Sequence, residues 1–274
     1  MERKISPFES VIIPLQIDGV VLEISAIYRM GKKPPLVFLH GFGSTKEDYA
    51  DIIFCEELND HGFIAYDFPG CGETICAVLE AISIGFFVKT ALAVLEHFDV
   101  EKFHLLGHSM GGLTSLILAD QNKERVLSFT DIEGNIAPED CFLSRQIINY
   151  PADSAKEFFD NFIARTRHAT DYASALYSAS LRHKVRAEAV KPIFTSMVDL
   201  SDNGELMDKF LGLPCPVMFM FGEQNRSLSY LPHIEAEGVM LAEVPNCGHF
   251  PMYSNPACMW KFISENIQRT LIAE

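Results

Sequence analysis

Short apolar runs alternate along this chain with stretches of helical periodicity. The runs at 11–17 and 20–27 flank Asp18-Gly19. Asp-Gly between two such runs is a strong hairpin signal, so a sheet is predicted to begin with two antiparallel strands. Further strands are predicted at 35–40, 63–67, 103–106, 126–132, 217–221 and 239–244, each short and rich in branched or aromatic residues. Helical patterns lie between most of them, among them 75–98 and 113–119. This alternation predicts an α/β architecture: an eight-stranded, mostly parallel sheet with helices on both faces.

Between Gly134 and Leu213 the alternation stops and the pattern is helical, with 154–163 its clearest amphipathic piece. Phe158, Phe159 and Phe162 fall there at helical spacing and are expected to pack an apolar core. A helical insertion between two strands predicts a cap over the strand ends, where open α/β sheets bind ligands. Residues 1–134 and 213–274 are read as the core and 135–212 as the inserted cap.

Composition narrows the classes of function. The 274 residues are 48% hydrophobic and 22% charged, ordinary for a compact domain and unlike a disordered chain. A net charge of −15 argues against nucleic acid and against an anionic membrane surface, both of which are bound through Lys and Arg. The expected partner is a small molecule, and nothing in the sequence bears on oligomeric state. The apolar stretch 75–98 carries Glu80, Lys89 and Glu96, which favours a packed helix over a membrane span. Seven cysteines, with no C-x-x-C pair and no metal-like spacing, predict buried thiols. The first ten residues lack the apolar core of a secretory signal, so a cytoplasmic location is expected.

The chemistry concentrates in Gly107-His108-Ser109-Met110-Gly111, a G-x-S-x-G pattern between an apolar run and a helical one. A serine on a sharp strand-to-helix turn is forced outward, and glycines flank it because a β-carbon there would clash. Three other segments fall at predicted strand ends: His40-Gly41-Phe42-Gly43, the turn Tyr66-Asp67-Phe68-Pro69-Gly70-Cys71-Gly72, and Gly248-His249-Phe250. In this order the four motifs resemble the α/β-hydrolase superfamily, and the likeness covers nearly the whole chain. The resemblance implies that fold, a cap after the sixth strand, Ser109 as nucleophile and His249 as base.

The acid departs from the commonest family pattern. Most relatives carry an Asp in a G-x-x-D segment after the seventh strand, where this chain has Gly222-Glu223-Gln224-Asn225. An amide can orient an imidazole but cannot stabilise an imidazolium by charge. Some members, including many haloalkane dehalogenases and the zearalenone lactonases, place a Glu at the end of the sixth strand, which here is Glu133. Glu223 is the second choice, and Asp131 falls on the opposite face of its strand from Glu133. Asn225 is expected to contribute little.

The resemblance places the oxyanion-hole N–H groups at Met110 and at Phe42, with Gly41 as an alternative loop donor. A serine nucleophile makes an acyl-enzyme, which implies a carbonyl substrate, and no cofactor or metal is called for. His40 and His108 are expected to act as hydrogen-bonding supports, and Cys247 is not expected to be a nucleophile. Arg145 is left between an acidic partner near Glu133 and solvent. Ile136, Phe142, Leu228 and Phe250 adjoin the motifs and are predicted to line a largely apolar pocket. An ester or lactone of a neutral small molecule suits such a pocket. The Gly248–Pro256 stretch is similar to a loop of zearalenone-type lactonases. Carbon–carbon hydrolysis of a β-diketone-like substrate and a small-molecule receptor of the same fold are the alternatives.

Overall fold

The computed structural model describes residues 8–149 and 154–271. The reading of the first ten residues therefore falls mostly outside the described part, as do the outer ends of both core segments and four residues of the proposed cap. The strands are β1 (Glu9–Ile17), β2 (Val20–Arg29), β3 (Lys33–Leu39), β4 (His61–Tyr66), β5 (Ile75–Cys76), β6 (Phe103–His108), β7 (Val126–Ile132), β8 (Val217–Gly222) and β9 (Met240–Val244). The sheet order is β1-β2-β4-β3-β6-β7-β8-β9, with β5 pairing β2 off this path.

Eight predicted strands are thus joined by a ninth, the two-residue β5. It lies inside the stretch expected to be helical from residue 75. Leu22 pairs with Cys76 and Glu23 with Ile75, and the helix α1 (Ile84–His97) starts only where the Ser83 side chain accepts the Phe86 N–H. That cap satisfies one of the orphan donors at the helix start and defines its boundary. The β1–β2 hairpin turns through Asp18 and Gly19, both at positive φ, as an Asp-Gly turn requires. From β3 onward the neighbouring pairs are parallel. Strands β4, β6 and β8 are buried at every position, because a parallel strand covered on both faces has no solvent side.

The remaining helices are α2 (Met110–Gln121), α3 (Phe142–Ile148), α4 (Ala155–Arg167), α5 (Ser174–Lys184), α6 (Ala187–Asn203), α7 (Leu206–Leu211), α8 (Leu231–Ala236), α9 (Pro251–Ser254) and α10 (Pro256–Gln268). Five of these, α3 to α7, lie between β7 and β8 in the chain. Backbone hydrogen bonds tie this insertion to the turn after β4, Gly72 N to Lys184 O at 2.8 Å and Arg186 N to Gly70 O at 2.9 Å. Lys184 Nζ also reaches Asp48 at 3.1 Å and the Tyr253 hydroxyl at 3.0 Å.

An ion cluster, buried at Lys46 and Asp67 and exposed at Glu47 and Glu73, joins two loops at the strand ends. Lys46, 3% exposed, lies 2.8 Å from the fully buried Asp67, 3.0 Å from Glu73 and 2.7 Å from Glu47. Burial alone would lower the Lys46 pKa, but the hydrogen bonds to Asp67 and Glu47 outweigh it and raise it above its ordinary value. Asp67 also accepts from the Lys46 and Glu73 backbone N–H groups. Removing one partner of a buried pair leaves an uncompensated charge, so Lys46→Met is expected to lower stability by about 3 kcal/mol. Equilibrium urea unfolding checks this, and a loss below about 0.5 kcal/mol, the scale of a surface change, would mean that the cluster does not anchor the loops.

Candidate active site

Ser109 follows β6 directly and precedes the first residue of α2. Its backbone is strained, φ 53° and ψ −118°, a region that non-glycine residues enter only when their surroundings force them. The forcing is visible in the neighbours. Ser109 N donates to Ile132 O at 2.9 Å, and a β-carbon on Gly111 would lie 2.0 Å from Leu39 O. The turn is therefore clamped between β3, β6 and β7, and only a residue without a side chain fits at 111. Met110 opens α2, so its N–H has no acceptor within the helix.

His249 sits on the loop after β9, between Gly248 and the short α9. Its Nδ1–H donates to Glu133 Oε2 at 2.6 Å. Glu133 is the first residue after β7, at φ 48°. Its carboxylate also accepts from Gly222 N at 2.7 Å, and Asn225 Nδ2 lies 2.8 Å from each of its oxygens. The Glu133 side chain is 6% exposed and that of His249 is 38% exposed. The pair is sheltered on the acid side and reachable on the imidazole side.

His108 supports this loop from below. Its Nε2–H donates to His249 O at 2.7 Å, and the two rings lie 4.8 Å apart. Burial, reinforced by His249, pushes the His108 pKa well below its ordinary value, so this ring stays neutral. His40 does the same for the loop after β3. Its Nδ1–H donates to Gly41 O at 2.8 Å and its Nε2 accepts from Phe68 N at 2.9 Å.

A cavity of about 620 Å³ is lined by Ser109, Glu133 and His249 together with Phe42, Phe162, Phe194, Met197, Leu228 and Phe250. The insertion contributes Phe162, Phe194 and Met197. Phe142 also lines it but is 73% exposed, which puts it at the mouth. Of the four predicted pocket residues, Phe142, Leu228 and Phe250 face the cavity and Ile136 does not. Ile136 is buried in the core, 1% exposed, because the chain bends at Glu133, φ 48°, and it is Asn135 that lines the cavity instead. Phe162 lines the wall as well as packing the core, whereas Phe159 is buried away from it.

The other acids are engaged elsewhere. Asp131 Oδ1 accepts the Gly134 N–H, and burial holds its pKa far above the usual carboxylate range. Glu223 accepts the Asn246 N–H at 2.9 Å and so braces the loop before His249. Arg145 pairs with Asp202, not with a group near Glu133. Cys247 is buried, and burial, followed by the nearby Glu133, pushes its thiol up to about 12, far from a thiolate nucleophile. Among the described residues no group of three or more His, Cys, Asp or Glu could hold a metal ion. No helix among them is long and apolar enough to cross a membrane.

Asn225, expected to matter little, holds both oxygens of Glu133. Asn225→Ala removes those donors and leaves the Gly222 N–H and His249 as the recorded partners of the carboxylate. Its expected effect is a fall in kcat of about tenfold with KM little changed, since the lost bonds orient the acid. Steady-state kinetics on any turned-over substrate reads this, and a change under twofold would return Asn225 to a bystander.

The chain belongs to the alpha/beta hydrolase family, whose sequence model matches residues 36–257. Among curated relatives it is 40% identical over 98 residues to the dihydrolipoyllysine-residue acetyltransferase component of an acetoin cleaving system from Pseudomonas putida. That match takes in 35% of this chain and 25% of the relative, so this chain matches only a quarter of that protein's length. A monoacylglycerol lipase of Xenopus laevis is 24% identical over 258 residues, 86% of this chain and 75% of the lipase. A solved carboxylesterase structure from the thaumarchaeon Nitrososphaera gargenis superposes with a TM-score of 0.77 at 14% identity, covering 96% of this chain and 100% of that one. At that identity the likeness speaks to the fold.

Proposed function

We propose that this protein is a serine hydrolase that cleaves a carboxylic ester or lactone of a neutral, moderately hydrophobic small molecule through an acyl-enzyme. The observation that carries the reading is His249, bonded to Glu133 at 2.6 Å, in the cavity that Ser109 enters from its strained turn. In this reading Ser109 Oγ attacks the acyl carbon while His249 Nε2 takes its proton. Glu133 holds the tautomer at Nδ1 and stabilises the imidazolium that forms. The N–H groups of Phe42 and Met110 receive the negative oxygen of the tetrahedral intermediate. The intermediate collapses, the C–O bond breaks, and His249 returns the proton to the leaving alkoxide. Water then attacks the acyl-enzyme with His249 as base, releasing the acid and restoring Ser109.

Residues 135–212 serve as a cap whose aromatic side chains close the acyl pocket. A substrate without negative charge suits the lining, which includes Glu139, Asp140 and Asp171 beside Glu133. Among the described residues Arg165 is its only Lys or Arg, and Gln146 already accepts from it at 3.0 Å. The likeness to a monoacylglycerol lipase, over 86% of this chain and 75% of the lipase, supports ester chemistry. The test is sustained turnover on a panel of neutral aryl esters and of medium and large lactones, with a phosphonate probe run beside it. Many turnovers per protein support the reading, and the lactone-to-ester ratio assigns the substrate class. Probe labelling of Ser109 without turnover on any panel member would point to carbon–carbon hydrolysis or a receptor instead. No labelling would sink Ser109 as nucleophile.

A further inference from the structure

The loop that carries the Phe42 N–H is held from two sides. The Gly41–Phe42 peptide is fixed by its carbonyl, which accepts from His40 Nδ1–H at 2.8 Å and from Ser44 N at 3.1 Å. In a trans peptide the N–H points opposite to the C=O, so these two bonds aim the Phe42 N–H. The next peptide, Phe42–Gly43, has a different anchor: the Tyr177 hydroxyl donates to Phe42 O at 2.9 Å. Tyr177 belongs to α5 of the insertion, 135 residues along the chain from Phe42.

Four further contacts show that this bond is built in. Gly43 has φ 77°, and a β-carbon there would lie 2.4 Å from the Tyr177 ring, so the loop is shaped to receive the ring. Tyr177 is 5% exposed and stacks on Phe250, the residue after His249, with ring centroids 4.3 Å apart. Phe250 stacks in turn on Tyr253, whose hydroxyl donates to Asp48 at 2.7 Å. Burial keeps the Tyr177 hydroxyl protonated far above its ordinary range, so it remains a donor wherever the protein is folded.

Resting on the hydrolase reading above, we propose that Tyr177 is a positioning residue for the oxyanion hole, through which the helical insertion sets the geometry of the Phe42 N–H. Oxyanion donors act because they are already aimed at the place where charge develops. The Gly41 carbonyl bonds fix one of the two peptides around Phe42, and the insertion, through Tyr177, fixes the other and so holds the loop against rotation about the Phe42 backbone. The active site is then complete only with α5 seated, which couples placement of the insertion to the rate of the chemical step and not to substrate affinity alone.

Tyr177→Phe tests this, because it keeps the ring on Gly43 and Phe250 and removes only the hydroxyl. At a temperature where circular dichroism shows both proteins folded, kcat is expected to fall about tenfold while KM stays within about twofold. Phosphonylation of Ser109 should slow by a similar factor, since the phosphonyl oxygen occupies the same hole. The pH profile of kcat/KM should keep its shape. A kcat within twofold of the parent would overturn the proposal. A rise in KM alone would make Tyr177 a substrate contact, and a displaced pH profile would mean that it acts through Phe250 on His249. If Ser109→Ala retained turnover, the hydrolase reading would fail first, so the two failures are told apart.

Discussion

Ser109→Ala is expected to lower kcat by about six powers of ten, the scale seen when a serine nucleophile that works as a unit with its base is removed. The fold should hardly notice. The Ser109 side chain makes no capping hydrogen bond to α2, and alanine meets the same backbone strain at φ 53° that serine already bears. The melting temperature should therefore stay within about 1 °C of the parent, corresponding to roughly half a kcal/mol for a chain of this size. Mass spectrometry should find the phosphonate adduct on Ser109 in the parent and none in the variant. Residual turnover above about one per cent, with the fold intact, would remove the serine from the mechanism. Loss of turnover together with a collapsed melting transition would make the turn structural, and Ser109→Cys, which keeps a nucleophile of similar size, would then separate the two roles.

Much of the fold was legible because its signals are local. Asp18-Gly19 between apolar runs specified the hairpin, and the buried runs at 63–67 and 217–221 announced strands covered on both faces. The strand-to-helix turn at Ser109 was legible because an apolar run precedes the G-x-S-x-G pattern and a helical one follows it, which the five residues alone would not have shown. What escaped has long range or little length. β5 is two residues and exists only because β2 offers it a partner. Asn225 lies 92 positions from Glu133, and an amide where an acid is usual says nothing about which carboxylate it will hold. Tyr177 is one tyrosine in an ordinary helical pattern, and its partner is a backbone carbonyl that no residue type advertises. Ile136 adjoins Glu133 in sequence but does not share its direction, and is buried in the core. Glu133, at φ 48°, bends the chain, so its neighbours diverge.

Glu133→Gln is the second large effect, expected to lower kcat by about three to four powers of ten, as when an imidazole loses its partner carboxylate. Two losses combine. The amide cannot stabilise the imidazolium by charge, and it is also the wrong partner for its surroundings. Gly222 N, Asn225 Nδ2 and His249 Nδ1–H all converge on the two Glu133 oxygens. Gln offers one acceptor and one NH2 donor to these three donors: with its oxygen on Gly222 N, its NH2 faces His249 Nδ1–H, and a flip of the Asn225 amide relieves only the contact with Asn225. Asn225 can flip and present its oxygen, which lets the variant fold and confines the damage to His249. The double variant Glu133→Gln with Asn225→Ala should then be less stable than either single change predicts by simple addition, because the flipped amide that rescued the first is gone. Retention of more than about a tenth of kcat in Glu133→Gln would move the acid elsewhere. Glu223 is the group to change next, although its bond to Asn246 N directs it toward bracing the loop and away from Nδ1.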